Sequence, residues 1–332
     1  MEERSYTAFA TPYLLRALLA ANGWGLVIVL LVIWLGHAKP PPREMLYMSD
    51  RDGDWDIYSL DADLGLSLRL TYDPLFNFPN TLIFNRYPAW SPDGSLIAFH
   101  ANPLGNYDLY IMNADGTNLH QLTDSPADDA MASWSPDGTR LVFHSQRTGN
   151  WDIWTLNVQT GAQQQVTFYA GDDNFPVWSP DGRSLLFVSD RRGTQEIYVR
   201  SALTDAPPEA LNGYSLRQLT NNNRDEWTPV WSPDGRYIAY SAEEPSGQEI
   251  FVMHADGSNT RRLYSTISEE WNPAWLMTPD GLALTFVSTL DGTVQIYLLD
   301  FDDFDRGYGP ANRITVPRDP DAEQWAPDWR PR

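Results

Sequence analysis

The segment Trp90-Ser91-Pro92-Asp93-Gly94 recurs almost unchanged along this chain of 332 residues. Three later segments have the same five residue types, and a fourth carries two additional residues. These copies span 134–138, 178–182, 231–235 and 275–281, and their tryptophans follow one another at intervals of 44, 44, 53 and 44 residues. Repeats of about 40–50 residues are typical of solenoids and propellers. The chain after residue 45 is therefore a tandem array of one small structural unit.

Each repeat has the pattern of four short antiparallel strands. The first strand ends at the tryptophan, and the apolar stretches 96–99 and 108–112 follow as the second and third strands. Between the first two strands, the proline presets one backbone angle and Asp-Gly tolerates a positive φ, which favours a tight hairpin. A short strand ending in Gln121-Leu122-Thr123 closes the unit. Four such strands make one propeller blade.

The two ends of the repeat array determine the number of blades. Residues 45–50 begin at the second strand of a unit, whereas 325–331 supply a first strand alone. The C-terminal strand is therefore predicted to complete the first blade, which leaves no open edge in the ring. The sequence predicts an all-β, six-bladed β-propeller over 45–332. Its first strands contain Trp90, Trp134, Trp178, Trp231, Trp275 and Trp329.

Several phrases of the repeat resemble a known family. Ser189–Tyr198, the sequence Asn113-Ala114-Asp115-Gly116, and the repeated Trp-Ser-Pro-Asp-Gly are similar to the TolB-type (PD40, WD40-like) propeller repeats. The resemblance implies a protein-interaction module, although related propellers also occur in prolyl-oligopeptidase-type peptidases and polysaccharide-processing enzymes. TolB has a cleaved signal and an extra N-terminal domain where this chain has a membrane-like segment. The Tol-Pal role is therefore not carried over.

The N-terminal part differs from the repeats. After a tail of residues 1–16, the segment 17–38 carries no charge and includes the unbroken apolar run 26–35, which is long enough to cross a bilayer as a helix. A membrane anchor is expected there, followed by a proline-rich linker over 39–44. A cleaved signal peptide and a buried helix are the alternatives. Flanking charges do not decide the orientation, so a cell-membrane location with the propeller on the extracytoplasmic side rests on the resemblance.

Composition excludes several classes of function. The formal net charge of −21 opposes binding to nucleic acid, whose affinity for proteins comes largely from its phosphates. The absence of cysteine excludes disulfides and thiolate chemistry. The sequence also lacks the Gly-x-Ser-x-Gly motif that a serine hydrolase of the α/β type would require.

Acidic residues precede the blade tryptophans by six and five positions. In a propeller the first strand is innermost, so these positions are predicted to surround one mouth of the central channel. The carboxylates are Asp128, Asp129, Asp172, Asp173, Asp225, Glu226, Glu269, Glu270 and Glu323. Four positions before their tryptophans stand Trp227, Trp271 and Trp325. Carboxylates beside aromatic faces suit a basic peptide, a protein partner or a glycan. Alternatively, the acids satisfy backbone amides between blades and the indoles act as packing wedges.

Metal chemistry has weaker support in the sequence. His100 and His144 occupy equivalent positions in neighbouring repeats, and Asp50–Asp56 resembles a calcium loop. Two histidines are fewer than catalytic zinc sites normally use, so packing between blades is the expected role. No cofactor is expected apart from Ca²⁺ at that loop. The sequence favours a non-enzymatic, membrane-anchored binding scaffold. The alternative is a metal-assisted polysaccharide lyase or hydrolase of the propeller type.

Overall fold

The computed structural model describes residues 43–71, 83–202, 216–263, 268–290, 292–303, 307–308, 312–313 and 322–331. Within these residues all regular elements are β-strands. They include no helix that is long and apolar enough to span a bilayer. The predicted tail 1–16, the predicted anchor 17–38 and the start of the linker lie outside the described residues.

Six antiparallel sheets form the blades, numbered here from the N-terminus. Blade 1 contains, from its innermost strand outwards, β25 (Gln324–Trp329), β1 (Glu44–Ser49), β2 (Asp56–Asp61) and β3 (Leu66–Arg69). Blade 2 contains β4 (Asn85–Trp90), β5 (Leu96–Ala101), β6 (Asp108–Asn113) and β7 (His120–Gln121). Blade 3 contains β8 (Asp129–Trp134), β9 (Arg140–Ser145), β10 (Asp152–Asn157) and β11 (Gln163–Gln165).

The remaining three blades follow the same order. Blade 4 contains β12 (Asp173–Trp178), β13 (Ser184–Ser189), β14 (Glu196–Ser201) and β15 (Arg217–Gln218). Blade 5 contains β16 (Glu226–Trp231), β17 (Tyr237–Glu244), β18 (Gly247–His254) and β19 (Arg261–Arg262). Blade 6 contains β20 (Glu270–Thr278), β21 (Gly281–Ser288) and β22 (Gln295–Asp303), with β23 (Gly307–Tyr308) and β24 (Asn312–Arg313) both paired to β22.

The ring closes as the sequence predicts. Strand β25 pairs antiparallel with β1, which places Met45 opposite Trp329 and joins the two ends of the propeller in blade 1. Each first strand contacts the first strands of both neighbouring blades, and β25 completes the circle between β20 and β4. The prediction of an all-β, six-bladed propeller closed by its C-terminal strand is confirmed.

The repeated turn has a local cause in its own side chains. In blade 2, the Ser91 hydroxyl donates to Asp93 at 2.6 Å and accepts the Leu96 amide at 2.9 Å. Gly94 adopts a φ of 65°, a backbone angle that glycine takes without steric cost. The serine–aspartate hydrogen bond recurs in blades 3, 4 and 5. The repeated sequence therefore fixes the hairpin between the first two strands of these blades.

Apolar side chains fill the spaces between neighbouring blades. Leu46 and Ile57 of blade 1 share one fully buried cluster with Ile97 and Phe99 of blade 2, and similar clusters join the other blades. A blade has two large faces, and each is covered by the next sheet. Burial between sheets is therefore the main source of stability, since its free energy scales with apolar area removed from water.

Each first strand carries a β-bulge that the sequence analysis did not predict. The pairing between first and second strands shifts register at the bulge in all six blades. One residue in each bulge has a positive φ of 46–57°: Tyr87, Met131, Phe175, Thr228, Asn272 and Ala326. Bulges re-aim side chains. Here they form a ring of equivalent residues along the central channel.

Candidate functional site

The central channel has two chemically different ends. All first strands run in the same direction around the ring, from the acidic positions to the tryptophan and its turn. We call the end where these strands begin the acidic end, and the end bearing the Ser-Pro-Asp-Gly turns the proline end. A cavity of about 470 Å³ lies among the later residues of the first strands and the turn prolines, and is therefore at the proline end.

The first acid of each pair at the acidic end has a structural contact and remains partly exposed. Asp128, Asp172 and Asp225 each accept a backbone amide from the preceding blade, at 2.8, 3.0 and 2.8 Å. Each bond uses one carboxylate oxygen, and the side chains are only half-buried. The backbone-capping role considered in the sequence analysis thus applies to one oxygen of each, and among the described residues the other oxygen has no hydrogen-bond partner.

The second acid of each pair is fully buried. Asp129 pairs with Arg147 at 2.6 Å and Asp173 with Arg191 at 2.9 Å, and both aspartates are 0% exposed. Each arginine follows the second strand of the same blade. These two carboxylates neutralise a guanidinium inside the blade. The expectation that these two carboxylates face the channel mouth is corrected. Neighbouring strand residues alternate between faces, and Asp129 and Asp173 point into their blades, away from the channel mouth.

The same burial applies to the glutamates of blades 5 and 6. Glu226 accepts the Asn222 amide at 2.8 Å and the Thr220 hydroxyl, and Glu270 accepts the Ser268 hydroxyl at 2.9 Å. Desolvation raises the pKa of Glu226 to about 7. Neither glutamate is open to solvent. Four of the nine carboxylates predicted to face a ligand are thus buried inside the blades.

The accessible part of the acidic end combines the other five acids with the three tryptophans. Glu269 is exposed, while Glu323 is half-buried and accepts the Trp325 indole N–H at 3.1 Å. The rings of Trp271 and Trp325 lie 5.1 Å apart, and Trp227 is half-buried on the adjacent blade. The structure therefore brings an aromatic pair beside carboxylates on neighbouring blades. A ligand-binding role for these residues stays a prediction.

The acidic end is asymmetric around the ring. Blades 5, 6 and 1 carry tryptophan four positions before the blade tryptophan, whereas blades 2, 3 and 4 carry Arg86, Ala130 and Asn174 there. The Arg86 guanidinium lies 5.4 Å from the Phe84 ring centre and 5.8 Å from that of Tyr107. The tryptophans of blades 5, 6 and 1 therefore lie on one side of the channel, and the smaller or basic residues of blades 2, 3 and 4 lie on the other.

Buried acids also occur in a second position that sequence reasoning missed. Asp108 begins a third strand and lies close to Asp129 of the next blade, and Glu196 stands in the same relation to Glu226. Desolvation, together with the neighbouring carboxylate, raises the pKa of Asp108 to about 6. The signal was available, since an acid or glutamine stands directly before the first buried aliphatic residue of the third strand in every repeat, at Glu249 in blade 5.

Neither candidate metal position has the geometry of a metal centre. Among the residues that the structure describes, no three His, Asp or Glu side chains group to hold an ion. His100 and His144 are buried against Tyr107 and Trp151, and desolvation lowers both pKa values to about 3. The Met131 amide of blade 3 donates to His100 Nδ1 at 3.3 Å, and the His144 ring also contacts the Phe175 ring of blade 4, so both histidines pack between blades as expected.

The proposed calcium loop has an internal counter-ion. The Arg69 guanidinium lies 3.5 Å from Asp52 and 3.3 Å from Asp54, and it also contacts Asp56. Desolvation raises the pKa of Asp56 to about 7. The cation that these carboxylates surround is therefore a side chain of the same blade. Calcium binding at this loop stays a prediction.

Comparison with known proteins identifies the family. A family model described as the TolB beta propeller domain matches residues 76–197 and 208–331. The chain belongs to the TolB β-propeller family. Its repeat, its blade closure and its fold agree with this assignment.

Curated relatives of this TolB-type propeller match over short stretches. The Tol-Pal system protein TolB of Desulfosudis oleivorans is 30% identical over 88 residues, which are 26% of this chain and 19% of that protein. A TolB homolog of Chlorobium luteolum is 31% identical over 143 residues, covering 30% and 32%. Dipeptidyl-peptidase 5 of Porphyromonas gingivalis is 32% identical over 71 residues, covering 20% and 10%. The matched parts span less than a third of each relative.

Solved structures show the same fold at low sequence identity. TolB from Acinetobacter baumannii superposes with a TM-score of 0.68 at 18% identity, over 87% of this chain and 67% of that one. An oligogalacturonate lyase in complex with manganese has a TM-score of 0.50 at 17% identity, over 82% and 74%. The propeller fold of this chain thus also occurs in a TolB protein and in a lyase.

Proposed function

We propose that this TolB-type propeller is a non-catalytic scaffold that binds a basic segment of a protein partner at its acidic end. The observation that carries the proposal is the contact of Trp271 with Trp325 beside the accessible carboxylates of Glu269 and Glu323. The TolB relatives support a protein-interaction role. An arginine or lysine laid against an indole gains a cation–π interaction and also pairs with a carboxylate.

The accessible acids favour recognition by charge rather than by apolar burial. Asp128, Asp172 and Asp225 are held by backbone amides of the preceding blade, so their positions are preset before a ligand arrives. Preset carboxylates lose little entropy on binding. A strongly negative protein also attracts basic partners over long distances, which raises the association rate.

The proposal includes a location. Residues 17–38 would anchor the chain in a bacterial cell membrane and place the propeller on the extracytoplasmic side. The apolar run 26–35 and the prolines that follow it support the anchor, whereas the extracytoplasmic side rests on the TolB relationship. Protease added to intact spheroplasts would cleave a propeller on that side, whereas a propeller on the other side would survive until lysis.

Affinity capture from solubilised membranes tests the binding role. The full chain serves as bait, beside a variant with Asp172→Asn, Asp225→Asn, Glu269→Gln and Glu323→Gln. The substitutions preserve hydrogen-bond acceptors, so the fold is retained. We expect a basic protein to be recovered with wild type and lost with this variant. Equal recovery with both would contradict the proposal. Variants at Asp173 or Glu226 are unsuitable because those carboxylates are buried.

The enzymatic alternative is tested separately. A propeller lyase or hydrolase requires a base and an electrophile positioned together, and the described residues contain no metal-binding group of three. Incubation of the full chain with a uronic-acid polymer and Mn²⁺ should leave the polymer intact. Depolymerisation by wild type that disappears with chelator would establish the enzymatic role instead.

A further inference from the structure

The cavity at the proline end has the composition of a small-molecule site. Its volume of about 470 Å³ lies in the usual range of about 300–1,000 Å³ for ligand pockets. Tyr87, Met131 and Phe175 line one side, and prolines of the first strands and turns surround them. Thr228 and Asn272 add polar groups. A mostly apolar wall with few polar groups is the typical lining of a ligand pocket.

One lining residue departs from the repeat. The residue just before the blade tryptophan is Ala89, Ser133, Val177, Val230 or Ala274 in five blades, and all five line the cavity. In blade 1 the same position holds Asp328. It is the single carboxylate among the lining residues, and none of them is basic.

The Asp328 carboxylate is held by one oxygen and open at the other. Oδ2 accepts the backbone amide of Trp90 at 2.7 Å, across the junction of blades 1 and 2. Among the described residues, no basic side chain lies within ion-pair distance of Asp328. The nearby Arg330 pairs with Glu44 at 2.6 Å and stacks on the Trp90 ring. A negative charge therefore faces an apolar cavity without a protein cation.

We propose that this cavity binds a small organic cation, an ammonium group on an apolar body, with the ammonium at Asp328 and the apolar body against Tyr87, Met131 and Phe175. Desolvation raises the pKa of Asp328 to about 7, so the charged carboxylate is costly in the empty cavity. A bound ammonium would offset that cost. The site lies at the opposite end of the channel from the proposed protein-binding surface and is independent of it.

Calorimetry with three phenylalkyl probes of similar size tests the proposal. The full chain is titrated at pH 8 with phenethylammonium, with neutral 2-phenylethanol and with anionic 3-phenylpropionate. We expect phenethylammonium to bind at least about tenfold more tightly than the alcohol, a ratio worth about 1.4 kcal/mol. The anion should not bind measurably. Absence of binding, or equal affinity for the cation and the alcohol, would overturn the proposal.

Two variants locate the charge. Asp328→Asn retains an oxygen for the Trp90 amide and should reduce the preference for the cation to about one. Adding Ser133→Asp to that variant places a carboxylate at the equivalent position of blade 3 and should restore part of the preference. Unchanged cation binding by a folded Asp328→Asn protein would overturn the assignment. The control Asp172→Asn, at the acidic end, should leave phenethylammonium affinity unchanged.

Discussion

The indole Nε1 of Trp134 donates a hydrogen bond to the backbone oxygen of Ala89 at 3.1 Å and so joins blade 3 to blade 2. Trp275 makes the corresponding bond to Val230 at 3.3 Å, which joins blade 6 to blade 5. The repeated tryptophan is therefore both an apolar wedge and a polar link between blades in these two places.

Replacement of Trp134 by phenylalanine tests the polar link. The ring remains apolar, but the Ala89 oxygen loses its partner, and an unsatisfied buried group costs about 1–3 kcal/mol. We expect the free energy of unfolding to fall by about this amount, measured by urea denaturation. Trp231→Phe is the matched control, because the Trp231 Nε1 has no hydrogen-bond partner in the described structure. A loss no larger for Trp134→Phe than for the control would contradict the assignment.

Stability should decrease as pH rises from about 6.5 to 7.5, because the buried histidines His100 and His144, with pKa values lowered to about 3, oppose the effect of the carboxyl groups only below about pH 6.5, the ordinary histidine pKa. The pKa of Glu226 is raised to about 7, and those of Asp56 and Asp108 to about 7 and 6. Between the unfolded and folded pKa values, the native state binds more protons than the unfolded chain, so each rise in pH favours unfolding. Asp93, with a pKa lowered to about 2, loses its stabilising contribution only in strong acid. Urea midpoints at three pH values measure the trend.

A reciprocal pair of variants assigns this pH dependence to the blade junctions. Glu226→Gln removes one carboxyl group whose pKa is raised, so the free energy of unfolding should fall less steeply with pH. Stability should increase at pH 7.5 and change little at pH 5. Gln324, the equivalent residue of blade 1, is also buried. Gln324→Glu should therefore lower stability, and more at pH 7.5 than at pH 5. Identical pH profiles for wild type and both variants would show that other groups cause the trend.

Removal of the closing strand should destroy the ring. Deletion of residues 323–332 takes away β25 and uncovers the inner edge of β1, where Met45 and Leu46 are fully buried. An uncovered apolar edge promotes association. We expect oligomers or aggregates in size-exclusion chromatography. Deletion of residues 331–332 alone should leave a monodisperse protein, and a monodisperse product from the longer deletion would contradict the closure.

The blade architecture could be predicted because its determinants are local. Each Ser-Pro-Asp-Gly turn is fixed by side chains within five residues of one another, as the bonds of Ser91 to Asp93 and Leu96 show. The N-terminal unit lacks its first strand and the C-terminal unit supplies only a first strand, so the sequence required closure by β25. These short-range hydrogen bonds recur wherever the turn sequence recurs, even though the rest of the repeat varies.

The inner geometry of the channel could not be predicted to the same depth. Asp172 and Asp173 are adjacent in sequence, yet one is partly exposed and the other pairs with Arg191, eighteen positions away along the chain. Strand alternation predicts that two adjacent side chains point in opposite directions, but it does not predict which of the two is buried inside the blade. Asp328 was visible as a departure from its repeat equivalents, and only the ring shows that all of these residues share one cavity.

Site-specific photo-crosslinking tests the central claim most directly. A photoreactive residue is placed at exposed Glu269 on the acidic end, or at exposed Arg183 in a turn of the proline end, in the full chain within its native membrane. The account predicts crosslinks to a basic protein from position 269, lost when Asp172, Asp225 and Glu323 are neutralised, and none from position 183. Crosslinks from position 183 alone, or from position 269 regardless of neutralisation, would contradict it.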